Sequence, residues 1–134
     1  MSEIINIKRG CEKRLSGITP SIQIAFEGVN FTAPNAMYLK CQFRMSPPDD
    51  PVFGTGYHRE RVQFQVFVVD PAGTGTTNAI AKAEVIRDLF TKGTTINEAG
   101  TPMYVLSTPI IQSAFISQGK VIVPILIDIT AEVF

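Results

Sequence analysis

Between residues 59 and 90 the hydrophobic period switches once, from two to about 3.6, and no other stretch restricts the fold as tightly. Val62, Phe64, Val66 and Val68 alternate with Arg61, Gln63 and Gln65, the pattern of a strand with one buried face. Pro71, Gly73 and Gly75 punctuate a turn. From Asn78 onward Ala79, Ala83, Ile86 and Phe90 recur at helical spacing, with Val85 and Leu89 widening the stripe. Gly93 supplies a left-handed stop for that helix. A strand joined this tightly to a helix packs against it, so the unit predicts the centre of the core.

The flanking segments read by the same rules. Ile4, Ile7, Cys11, Leu15 and Ile18 step by three and four, predicting a helix over 2–16 that Gly10 weakens and the Thr19-Pro20 pair ends. Ile22, Ile24 and Phe26 form a short strand, and residues 27–35 reverse the chain. Met37, Leu39, Cys41, Phe43 and Met45 give a strand with one dry face. Residues 46–58 are rich in proline, glycine and acid, which predicts a long loop joining two paired strands beyond the sheet edge. The 97–100 stretch predicts a hairpin turn, and Gln118-Gly119 a second tight turn after a strand over 110–117. In the last strand Val121, Val123, Ile125, Ile127 and Ile129 line a core face. Ile122, Leu126 and Phe134 make its other face partly apolar, which points to a covering element such as another subunit. Pro124 has no N–H for a ladder and predicts an edge or a bulge there.

Twelve basic and twelve acidic side chains give a formal net charge of zero, which argues against a broad nucleic-acid-binding face but not against a channel that DNA merely traverses. At 134 residues, 45% of them hydrophobic, the chain is expected to form one domain over 1–134 and to favour self-association. The first residues carry charge too early for a signal peptide, and no apolar run reaches the roughly 18 residues of a membrane span. Cys11 and Cys41 fall on apolar faces, predicting two unpaired core thiols in a reducing cytoplasm.

No catalytic constellation emerges. The turn over 73–77 sits where phosphate-binding loops occur, yet it lacks the lysine of a P-loop, and Asn78 stands where a dinucleotide fingerprint needs its third glycine. A structural turn with threonine caps is the plainer reading. His58 is the sole histidine, and Asp49 with Asp50 reads as a solvated acidic loop tip. No cofactor and no metal site is expected. Lys40, Arg44, Arg59 and Arg61 share one sheet face, as a subunit contact, a weak DNA-backbone contact or a solvated surface.

The ordered set Ile24-Ala25-Phe26-Glu27-Gly28-Val29-Asn30-Phe31-Thr32-Ala33-Pro34, Tyr38-Leu39-Lys40, Gly54-Thr55-Gly56, Phe64-Gln65-Val66-Phe67-Val68 and Pro71-Ala72-Gly73-Thr74-Gly75, followed by a helix, Phe90 and Lys92-Gly93-Thr94, resembles bacteriophage and prophage tail terminator proteins, the lambda-like minor tail proteins. The resemblance covers almost the whole chain. It implies an α/β (α+β) domain, a mixed and mostly antiparallel sheet with two helices on one side. It further implies a structural, non-enzymatic role in the virion tail: a homohexameric ring, assembled in the bacterial host cytoplasm, that caps the tail tube, ends polymerisation and offers a surface to the head–tail connector while DNA passes through. The contact loop on that reading comprises Pro48, Asp49, Asp50, Phe53, Gly54, Gly56, Tyr57, His58, Arg59 and Arg61, touching the tube protein or a neighbouring protomer. A head-completion or neck connector remains an alternative, as does a small nucleotide-binding or hydrolase domain using the 73–77 turn.

Overall fold

The computed structural model describes residues 3–19, 21–49, 57–73 and 75–133. In chain order the elements are α1 (Glu3–Ser16), β1 (Ile24–Ala25), β2 (Tyr38–Asp49), β3 (His58–Pro71), α2 (Thr77–Leu89), β4 (Thr95–Glu98), β5 (Thr101–Val105), β6 (Ile110–Ile111), β7 (Phe115–Ser117) and β8 (Lys120–Val133). The strands form one sheet in the order β1-β2-β3-β8-β5-β4, with β6 and β7 also pairing β8. Among the described strands only the β1–β2 pair is parallel. The architecture is therefore α+β, as the sequence predicts.

The helices lie on one face because the period-two pattern leaves that face dry. Phe64, Val66 and Val68 of β3 and Val123, Ile125 and Ile127 of β8 are fully buried there, together with Ile7, Cys11 and Leu15 of α1 and Ala79, Ala83 and Ile86 of α2. Phe64 stacks on Phe43 at 4.7 Å and meets Phe90 at 5.8 Å, joining β2 and β3 to the end of α2. Each such side chain contributes about 1.5–3 kcal/mol by leaving water, so the strand–helix unit is the centre of the core. Helix α1 is positioned through Gly10. A Cβ built there would lie 3.0 Å from Met103 Cε and 3.1 Å from Ile96 Cγ2, so the glycine that weakens the helix also lets it approach the β4–β5 hairpin. Asn6 Nδ2 adds a buried hydrogen bond of 2.8 Å to Thr101 Oγ1 on the same hairpin.

Several boundaries differ from the sequence reading. Residues 46–49 belong to β2 rather than to a loop: Ser46 pairs with Arg61 and Asp49 with Arg59, across a bulge. Pro47 and Pro48 fit there because β1 pairs only as far as Lys40, leaving the outer edge of β2 with no neighbour among the described residues that would need their N–H groups. Met45 is exposed despite its place in the apolar alternation. The strand expected over 110–117 is broken into β6 and β7. Pro124 lies in neither an edge strand nor a bulge but in the middle of β8, paired with Phe67. Its carbonyl accepts from Gln112 N–H at 2.9 Å, and the two backbone groups of a strand residue point the same way. The ring nitrogen thus faces the gap between β6 and β7, where a donor has no ladder to join.

Turn chemistry explains the remaining joints. Ala99 and Gly100 (φ 51° and 83°) close the β4–β5 hairpin, and Gln118 and Gly119 (φ 50° and 72°) close β7–β8, the left-handed pairs that two-residue hairpins require. Helix α2 ends at Phe90, whose N–H reaches the carbonyls of Ile86 and Arg87, three residues before Gly93. Gly93 (φ 83°) instead shapes the turn closed by Thr94 N–H to Thr91 O, which leads into β4.

Candidate functional site

Alternation along β3 sorts the sequence-predicted contact residues onto opposite faces. His58 points to the helix-bearing side with Glu60, and its Nε2 sits 2.8 Å from Glu60 Oε1. Arg59 and Arg61 point to the other, open face, which also carries Arg44 and Lys40 of β2 by strand register. The four cations do share one face, and His58 is separate from them. Tyr57 donates its hydroxyl to Glu132 Oε1 at 2.9 Å, and Arg59 Nε lies 3.6 Å from the same oxygen. Pro48 is exposed at the end of β2, and the Asp49 backbone pairs with Arg59. Asp50, Phe53, Gly54 and Gly56 lie outside the described residues, as do Thr74 and Phe134.

The open face is divided along its length. Pairing places Tyr38, Val69, Ile122 and Phe115 in one row, then Phe67 beside Pro124, then Gln42, Gln65, Leu126 and Ile110. Ile110 and Phe115 are 53% and 48% exposed, and Ile116, on the opposite face of β7, is 71% exposed. Ile122, Leu126 and Phe67 are half-buried, so the second side of β8 is only partly covered by the described residues. Next comes a ladder of amides: Gln42 donates to Gln65 (2.8 Å), Gln65 to Gln63 (2.7 Å) and Gln63 to Asp128 (3.3 Å). Beyond it the surface turns basic.

At that basic end Arg59 and Arg61 of β3, Glu132 of β8, Tyr104 of β5, Leu106 and Lys92 line a cavity of about 410 Å³. Sequence reasoning missed Lys92, Tyr104 and Glu132. Outward alternation on β8 marks Glu132 as facing away from the core, but only the sheet order, which inserts β8 between β3 and β5, carries these residues to the arginines. Arg61 and Lys92 are exposed and have no ion pair among the described residues. Glu132 is already engaged by Tyr57 and Arg59, so the cavity presents net positive charge over a partly apolar lining.

The other candidates have a structural character. In the 73–77 turn, Gly73 and Gly75 take φ 110° and 84°, and Ala72 N–H bonds Gly119 O at 3.0 Å, tying it to the β7–β8 turn. Thr76 occupies the N-cap of α2, but its hydroxyl makes no capping bond; its carbonyl accepts from Ile80 N–H at 3.0 Å. The expectation of threonine caps therefore fails at Thr76. No group of three metal-ligating side chains occurs among the described residues. Cys11 and Cys41 are free and buried, and burial, reinforced by the Glu12 charge, pushes both thiols up to about 12.

The fold is shared with solved structures. One superposes with a TM-score of 0.82 over 100% of this chain and 98% of its own at 24% identity. A chain from the virion of a native gene transfer agent particle does so with a TM-score of 0.68, covering 98% of each chain at 10% identity. No curated protein matches the sequence. Residues 6–128, most of the chain, match the family described as phage tail terminator protein, and the chain belongs to that family.

Proposed function

We propose that this protein forms a homohexameric ring that caps the phage tail tube, stops addition of tube subunits and presents a surface to the head connector. Membership of the tail terminator family makes it a structural protein of the phage tail, and that membership carries the proposal. The gene transfer agent likeness fits the same setting, since that structure is a virion. Two features of the surface support assembly. Ile110, Phe115 and Ile116 expose large apolar groups beside β8, a cost in water that a neighbouring protomer removes. Strand β3 stays paired with β8 through His58 and Val133, so the start of β3 lies beside the end of β8. That position supports the reading in which residues 46–61 touch the tube or the next protomer.

On this reading no catalytic group is used, and DNA passes through a ring of neutral protomers. The test is a chain in which residues 50–56 are replaced by a short glycine-rich link. Folded protein that no longer caps tubes is the expected result. Normal capping removes the loop from the mechanism.

A further inference from the structure

The basic cavity on the open face is absorbed by nothing in the fold. Arg61 and Lys92 stand at its rim without ion pairs among the described residues, while Glu132 is held by Tyr57 and Arg59. Leu106, 49% exposed, and Tyr104 give the lining an apolar component. Two uncompensated cations beside apolar groups suit a segment that carries adjacent carboxylates and a large apolar side chain. A DNA backbone supplies negative charge but no apolar side chain. The chain's net charge of zero means that the positive charge here is balanced elsewhere, and its one pair of adjacent acidic residues, Asp49-Asp50, is followed at once by Pro51, Val52 and Phe53.

We propose that the cavity receives the acidic, phenylalanine-bearing segment of residues 49–53 from a second copy of this chain. Charge complementarity and the apolar match select the occupant. A closed ring repeats one heterologous contact, so each segment meets the next copy's cavity. The proposal rests on the ring reading and names the surface that receives its loop. Carboxylates on Arg61 and Lys92 form charge-assisted hydrogen bonds, stronger than neutral ones and sensitive to salt.

The test titrates the full chain with a fluorescein-labelled peptide of residues 48–57 and, separately, with a duplex DNA oligonucleotide, at low salt and at about 0.5 M. Saturable peptide binding that weakens with salt is expected. The double variant Arg61→Glu, Lys92→Glu should lose at least about tenfold in affinity, and a peptide with Asp49→Lys and Asp50→Lys should recover binding to that variant. Both substituted positions are exposed, so unchanged thermal unfolding verifies the fold. Absence of saturable binding, equal affinity of the charge-reversed variant, or displacement of the peptide by DNA overturns the proposal. Tail length in particles lacking the gene is scored independently: overlong tails uphold the terminator reading even where the peptide does not bind.

Discussion

Replacing Gly10 by alanine sets two well-understood effects against each other. In an exposed helix interior the change stabilises by about 1 kcal/mol, because glycine loses more backbone freedom on folding. At this position the new methyl meets Met103 Cε at 3.0 Å, Ile96 Cγ2 at 3.1 Å and Met103 Sδ at 3.2 Å, all inside the roughly 3.5–4.0 Å of a comfortable contact. Met103 is fully buried between α1 and the sheet, so its thioether has little room to swing away. Overpacking of this kind costs about 1–3 kcal/mol. The clash wins, and Gly10→Ala is expected to destabilise by about 1 kcal/mol net, a fall of roughly 3–4 °C in Tm for a chain this long. Urea denaturation of a double-mutant cycle with Met103→Ala isolates the clash. Met103→Ala alone should cost about 2–5 kcal/mol, and in that background Gly10→Ala should turn stabilising by about 1 kcal/mol. A stabilising Gly10→Ala in the wild-type chain, or no change of sign in the Met103→Ala background, refutes the close approach of α1 to the β4–β5 hairpin.

Two further expectations concern the thiols and the glycine turn. Because burial raises the Cys11 thiol to about 12, the unfolded chain releases its proton first as pH climbs past about 8.5–9; stability conferred by the neutral thiol is complete below that pH and is lost on the way to 12. Unfolding free energy between pH 9.5 and 11 should therefore fall more steeply in the wild type than in Cys11→Ala, by up to about 1.4 kcal/mol per pH unit. Equal slopes contradict the assignment. Isothermal calorimetry with nucleotides and magnesium should give no binding heat for the wild type. Heat that disappears in Gly75→Val would revive a nucleotide-binding role for the turn over 73–77.

The long elements were legible because each has one dry face. Val62, Phe64, Val66 and Val68 announce β3, and Ala79, Ala83 and Ile86 announce α2. Asn97-Glu98-Ala99-Gly100 announces a hairpin because a polar stretch ending in glycine separates two apolar runs, although the turn also holds Ala99 at a φ of 51° that alanine seldom adopts. What failed had non-local causes. Pro47 and Pro48 read as a loop, yet they extend β2 because its outer edge is open, and an edge is a property of the whole sheet. Pro124 misled for the converse reason: it is central in the sheet, and the break over 112–114 between β6 and β7 that tolerates it belongs to a different stretch of the chain. Gly93 carries the positive φ expected of it but serves the turn into β4, since the helix already ends at Phe90.

The site was half legible. Strand alternation alone places Arg44 and Arg61 on one face, and the register bears that out through the pairs Arg44–Gln63 and Ser46–Arg61. Its companions Lys92, Tyr104 and Glu132 come from three other parts of the chain and meet the arginines only through the strand order β3-β8-β5. His58, adjacent in sequence to Arg59, belongs to the opposite face and pairs with Glu60.

The role proposed for this chain is termination of the tail. Electron microscopy of particles assembled with this gene deleted measures it directly, through the distribution of tail lengths and the fraction joined to heads. Overlong, headless tails are the predicted result. Tails of normal length that fail to join heads would contradict termination and assign the protein to the neck, and intact particles would contradict both.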